Sequence, residues 1–276
     1  MYHVSGQLNH DYDSAVLIPS YQDNEGLLIT LRSLNEEESS VNILVVDDGS
    51  TISVVSGLRD FVSHHNIVVI TLKENQGIIT ALNTGLDYCS DNNIRFVYRL
   101  DAHDINVKGR LEHQKAMMKS SGAALVGGAV EFFGESGQSI SILQLPTESS
   151  DIKKLQIFRS CFVHPAVLLD LQLLGKGFRY SHDFRHAEDY EFFLRISRSF
   201  DVANIEQVVT RCLIRSGGIS LSNRKAQINS VFKTQFKYFD WSSRYSYLGV
   251  AKTTFLYLFP RDLVEFIKIK VLKVHQ

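Results

Sequence analysis

Four short polar clusters carry the chemistry this 276-residue chain is equipped to do. Asp101-Ala102-His103-Asp104 sets two carboxylates and an imidazole within four residues, a donor set for a divalent cation. The mixture of oxygen and nitrogen suits Mn2+, whereas Mg2+ prefers oxygen alone. Asp47-Asp48-Gly49-Ser50 offers paired carboxylates beside a glycine; taken by itself it also reads as a strand-to-helix turn. Pro19-Ser20-Tyr21 follows an apolar run. His182-Asp183-Phe184-Arg185-His186 has the H-x-x-x-H spacing of a zinc helix. Here Asp is a methylene shorter than the general-base Glu of metalloproteases, no third ligand follows, and no apolar helical stripe runs through the segment. A zinc protease acting through His182 and His186 is therefore only a remote alternative.

The flanking elements explain why the other three clusters belong together. β-branched runs at Ala15–Pro19, Ile43–Asp47, Ile67–Leu72 and Arg95–Leu100 predict strands. Between them, Leu27, Leu31 and Leu34 share one helical face, as do Ile78, Leu82 and Leu86. This alternation predicts an α/β fold with a mostly parallel central sheet flanked by helices. Ligands bind such sheets at the carboxyl ends of the strands. The clusters at 19–21, 47–50 and 101–104 all fall at those ends. No G-x-G-x-x-G follows the first strand and no P-loop occurs, which disfavours dinucleotide enzymes and P-loop NTPases. A bound nucleotide would need another counter-charge for its phosphates, and a metal on the 101–104 cluster would supply it.

In this order the motifs VLIPSYQDNEGLLITLRSL, VVDDGS, NQGIITALNTGL, YRLDAHDINVKGRLEHQ, FVHPAVLL, AEDYEFFLRIS and IRSGGIS resemble the family 2 glycosyltransferases of GT-A fold. The likeness is greatest to bacterial enzymes that build surface polysaccharides, and it spans about residues 16–220. It implies a UDP-sugar donor, with Pro19, Tyr21 and Asp48 at the uracil and ribose and Asn75, Gly77 and Asn83 beside the nucleotide. Arg99, Asp101 and Ala102 would lie along the donor, Asp101 and His103 would hold Mn2+ or Mg2+, and Arg215 would neutralise the leaving diphosphate. Asp189 would be the base of an inverting transfer of a hexose or N-acetylhexosamine to a glycan or lipid-linked acceptor. His182, His186 and Glu188 would then line the acceptor side, and Arg110 and Gln114 would brace the loop that follows the fourth strand. The chain departs from the family at His103, which stands for a carboxylate, and at Ser216, near which many relatives carry a histidine. Those departures keep a second reading open, a catalytically silent subunit that binds a nucleotide sugar.

The net charge of −1 is a cancellation. Residues 224–276 carry ten Lys/Arg against three Asp/Glu, while residues 1–223 carry 19 against 27. An acidic catalytic part (1–222) and a basic, helical, aromatic extension (223–276) packed on it are expected, with helices over Arg224–Tyr238 and Pro260–Lys273. Nucleic acid is not an expected partner, because the larger part repels phosphate backbones. Most aromatic stripes are core; this one, with Trp241 and interleaved lysines, also admits contact with an anionic membrane surface. Packed helices with one basic face near the membrane are the expectation. Three scattered cysteines, no secretory leader pattern and no 18-residue apolar run point to a cytoplasmic protein, peripheral on the inner face of the membrane if bound there.

Overall fold

A computed structural model describes residues 2–214 and 224–259. Its strands are β1 (Tyr2–Ser5), β2 (Ser14–Ser20), β3 (Asn42–Asp47), β4 (Asn66–Leu72), β5 (Phe96–Arg99), β6 (Ile105–Asn106), β7 (Leu125–Phe133), β8 (Ser139–Leu143), β9 (Leu168–Asp170) and β10 (Val202–Leu213). Its helices are α1 (Asn24–Leu34), α2 (Val54–Gly57), α3 (Ile78–Asp91), α4 (Arg110–Ser121), α5 (Ser149–Leu155), α6 (Leu171–Leu174), α7 (Glu188–Ser199), α8 (Arg224–Lys237) and α9 (Arg244–Leu258). The predicted strands and helices of the first hundred residues are all present. The expected helix over Pro260–Lys273 lies outside the described residues.

One sheet runs β1-β4-β3-β2-β5-β9-β7-β10-β6, with β8 added to β7. Its centre, β4-β3-β2-β5, is parallel, as is β7 with β10; antiparallel strands extend it. The central strands bury both faces, which is why they read as unbroken apolar runs. Ala15 and Leu17 point into one core with Leu82, Leu86 and Phe193, while Val16 and Ile18 point into the other with Leu27, Leu31 and Leu111. Helices α3 and α7 therefore cover one face, and α1 and α4 the other. Gly85 lets α3 sit close: a Cβ there would fall 2.2 Å from Leu17 Cδ1. Burying each such leucine is worth about 1.5–3 kcal/mol, so the sheet is a rigid platform for the loops at its carboxyl edge.

Buried polar groups fasten those loops. Glu37, just after α1, accepts from Asn106 Nδ2 at 2.7 Å and from the Gly109 N–H at 2.9 Å. Arg110, 2% exposed, has every nitrogen engaged. Its Nε donates to Gln114 Oε1 (2.9 Å), Nη1 to Thr210 Oγ1 (2.7 Å) and Nη2 to the Arg99 carbonyl (2.8 Å). Gln114 in turn donates to the Ala166 and Val126 carbonyls. Arg110 and Gln114 thus brace the end of β5.

Candidate active site

Register sets Ser20 of β2 beside Asp47 of β3, so the first two polar clusters emerge side by side. Asp48 is 4% exposed, and its two carboxylate oxygens accept the N–H groups of Gln76 and Gly77, each at 2.8 Å. Gly49 packs against the same loop; its φ is +74°, and a Cβ there would meet the Glu74 backbone at 2.4 Å. The 47–50 turn and the 74–77 loop are therefore one unit. Gly77 caps α3 at φ +88°, a conformation that favours glycine, and the space a Cβ would take is open. Tyr21 and Asn75 are exposed and Pro19 is half-buried around this opening. Asn83 on α3 exchanges two hydrogen bonds with the Tyr180 backbone, both 2.9 Å, and so draws the 178–189 segment to the same edge.

The 101–104 turn is stitched to α1. Thr30 Oγ1 lies 3.0 Å from the Asp101 carbonyl and 2.9 Å from that of Asp104. His103, at φ +72°, donates its N–H to the Gly26 carbonyl, and its Nε2 meets Asp23 Oδ1 at 2.8 Å. Its ring lies flat on Gly26, where a Cβ would be 2.1 Å from Cδ2. Asp104 turns inward to accept the Leu213 N–H at 3.1 Å. Burial, and after it the Asp101 charge, push its carboxyl up to about 7. Asp101 is the most exposed of the three titratable groups, and its carboxylate pairs with the Arg99 guanidinium. Among the described residues no three His, Cys, Asp or Glu side chains converge on a point that could hold a metal ion. The donor set thus fits a divalent cation only if Asp101 supplies one ligand and a bound substrate and water supply the rest.

Arg99 is the counterpart of Arg110 with the opposite outcome. It is 1% exposed, yet Nε, Nη1 and Nη2 are buried without a hydrogen-bond partner among the described residues, and Nη1 only meets the Asp101 carboxylate as an ion pair. A buried guanidinium with unmade donors is costly unless an anion completes it. Burial raises the Tyr180 hydroxyl above its ordinary value, with Arg99 opposing and the Asp189, Glu188 and Asp101 carboxylates adding, so these charges share one neighbourhood. Tyr180 Oη lies 3.0 Å from His164 Nε2, and burial, with Arg99 adding, holds that imidazole well below its ordinary range. His164 is therefore neutral.

Asp189 lies in the first turn of α7, not ahead of it, and accepts the Tyr190 N–H at 2.8 Å. Burial first, then the neighbouring Glu188 carboxylate, raise its pKa to about 6, against the pull of the Tyr190 N–H and Arg99. It keeps part of its surface accessible. Near neutrality it is an ionised carboxylate of raised basicity, the state a general base needs. His182 and His186 flank it on an exposed loop, but they do not share a helix: residues 182–184 form a single 3-10 turn, and His186 sits at φ +70°. The H-x-x-x-H face of a zinc protease is not formed. Arg215 lies outside the described residues.

Sequence reasoning missed Asp23, Gly26 and Thr30, the partners of the 101–104 turn. Asp23-x-x-Gly26 reads only as a helix cap, and Asp23 does accept the Gly26 N–H. It missed Tyr180 as well, which carries no motif.

A mostly parallel sheet with polar turns at its carboxyl edge and helices on both faces is the architecture of the GT-A fold. Solved structures share this fold. Over 94% of this chain and 75% of that one, S. aureus TarS 1–349 in complex with UDP superposes with a TM-score of 0.66 at 15% identity. The mannosyltransferase PcManGT from Pyrobaculum calidifontis, in complex with GDP-Man and Mn2+, gives 0.64 at 15% identity, over 92% and 72%. Residues 15–168 match the family model described as Glycosyl transferase family 2, and the chain belongs to that family. Among curated proteins it is 27% identical to the amylovoran biosynthesis glycosyltransferase AmsE of Erwinia amylovora, over 94% of this chain and 96% of that protein. It is 28% identical to the Escherichia coli UDP-Gal:alpha-D-GlcNAc-diphosphoundecaprenol beta-1,3-galactosyltransferase, over 84% and 85%.

Proposed function

We propose that this glycosyltransferase moves a hexose or N-acetylhexosamine from a UDP-sugar to a lipid-linked or growing glycan, with inversion at the anomeric carbon. Pro19, Tyr21 and Asp48 frame the uracil and ribose, with Asn75 and Gly77 at the edge of the same opening. Arg99, Asp101 and Ala102 face the diphosphate, joined by Arg215. Asp189 takes the proton of the acceptor hydroxyl as its oxygen attacks the anomeric carbon. The bond from that carbon to the β-phosphate oxygen breaks with its electron pair, and UDP leaves. His182, His186 and Glu188 border the acceptor. Asp101 would hold Mn2+ or Mg2+, which supplies further counter-charge to the diphosphate when bound. His103 holds the turn in place through Asp23 rather than ligating the ion. Residues 1–222 are the catalytic domain and 223–276 an extension, of which 224–259 packs on that domain. The chain works in the cytoplasm, in keeping with three buried cysteines that remain free thiols.

The observation that carries this reading is Arg99: a fully buried cation, short of acceptors, set among Asp101, Asp189 and Tyr180. Charge-assisted hydrogen bonds contribute about 1.5–3 kcal/mol each. Arg99→Gln is therefore expected to weaken UDP binding roughly 10- to 100-fold by titration calorimetry. Unchanged affinity would remove Arg99 from the donor site. The acceptor reading draws on relatives whose names specify polysaccharide and diphosphoundecaprenol glycans.

A further inference from the structure

The C-terminal helical hairpin is built inside out. On α9 the residues that face the protein are Ser246, Gly249 and Thr253, spaced by three and four. Gly249 makes this contact possible, since a Cβ there would lie 2.8 Å from the Ile157 carbonyl. The opposite stripe, also spaced by three and four, carries Tyr247, Leu248, Ala251 and Leu258, all exposed. Amphipathic helices of globular proteins put these faces the other way round. The turn before α9 adds Trp241, which is 79% exposed and stacked edge-on against Phe239, itself edge-on to Tyr247. Helix α8 contributes Phe236, 63% exposed, together with exposed Lys225 and Asn229, while its Lys233 and Lys237 reach back over Phe184 to the Asp183 carbonyl and Glu191. The hairpin thus presents a large apolar and aromatic face bordered by cations.

Charge decides what covers it. Residues 224–259 carry six Lys/Arg and one Asp. A second copy would bring the same positive charge against itself, and a neutral apolar partner would leave Lys225 and Arg244, which meet no carboxylate among the described residues, without a counter-charge. We infer that this face seats on an anionic lipid bilayer, with Trp241, Tyr247, Leu248 and Leu258 entering the headgroup–acyl boundary. Lys225 and Arg244 would meet lipid phosphates. None of the described helices is long and apolar enough to cross a membrane, so the contact is interfacial. The inference goes beyond the donor and acceptor reading without depending on it.

Co-sedimentation of the full chain with vesicles, without donor or acceptor, tests this. Binding to phosphatidylcholine vesicles that contain phosphatidylglycerol is expected, with little on phosphatidylcholine alone and a steep fall as salt rises. Each cationic side chain at such a surface contributes about fivefold, so Lys225→Gln with Arg244→Gln lowers the partition coefficient roughly 30-fold. Trp241→Ser, Leu248→Ser and Leu258→Ser combined should abolish it while UDP binding stays intact, which shows that the variant is folded. Equal binding to neutral vesicles, binding unaltered in both variants, or a dimer that Trp241→Ser dissolves in the absence of vesicle binding would each overturn the inference.

Discussion

Replacing Asp189 with Asn removes the proposed base and should also make the protein more stable, in a manner that depends on pH. The carboxyl is raised from 3.8 to about 6 in the folded chain, mainly by burial and then by Glu188. A group held above its unfolded value binds its proton more tightly in the folded state. Stability is therefore unaffected while both states are protonated, falls as pH rises between 3.8 and about 6, and stays lowered above that. The full difference corresponds to about 3 kcal/mol. Partial solvent access reduces it, so about 1–3 kcal/mol is expected. Asn keeps an oxygen to accept the Tyr190 N–H and carries no charge to desolvate. Urea unfolding should show Asp189→Asn level with the parent near about pH 4 and more stable above about pH 7. In a thermal scan the gain would be roughly 2–6 °C. The same variant should be inactive in transfer, and transfer by the parent should rise with pH through about 6. A loss of stability above neutrality, or a gain that ignores pH, would refute the claim that Asp189 is an ionised carboxylate in a desolvated site.

Three further substitutions probe the framework. Gly26→Ala puts a Cβ 2.1 Å from His103 Cδ2 and should cost about 1–3 kcal/mol in urea unfolding. In a His103→Ala background the same change should turn stabilising by about 1 kcal/mol, because Ala is then only a better helix former. Asp48→Asn leaves the Gln76 or Gly77 N–H facing an amide in place of a carboxylate. It should cost about 1–3 kcal/mol and weaken UDP binding in calorimetry. Asn83→Leu breaks both links to the Tyr180 backbone and should lower stability by about 2–3 kcal/mol, with transfer falling further than UDP affinity.

The central elements were legible because β2, β3 and β4 bury both faces and must be apolar throughout, and because polar residues at a carboxyl edge have few structural reasons to be there. Asp48, Arg99, Asp101 and Asp189 were reached through motif order. Their division of labour was not. Arg99 and Arg110 stand in one motif and are equally buried, yet Arg110 has every nitrogen hydrogen-bonded while Arg99 meets only the Asp101 carboxylate among the described residues; only the partners brought by Thr210 and Gln114 separate them. The expected ligand role of His103 rested on the resemblance to GT-A glycosyltransferases and on its place beside Asp101. The structure gives its Nε2 to Asp23, 80 residues away in sequence, across a glycine whose missing Cβ leaves room for the ring. No local pattern encodes such a pairing. The orientation of the extension was not legible, because an aromatic stripe with interleaved lysines reads equally as core or as surface; Trp241 and Tyr247 face outward here because Ser246, Gly249 and Thr253 suit a close approach to the Ile157 carbonyl.

The measurement closest to the central claim is UDP release from a panel of UDP-hexoses and UDP-N-acetylhexosamines, with a lipid-linked acceptor, in Mn2+ or Mg2+. Turnover of at least one donor, lost in Asp189→Asn with UDP affinity retained, is the predicted result. UDP binding without turnover of any donor, unaltered in Asp189→Asn, would contradict it and mark the chain as a silent nucleotide-sugar-binding subunit.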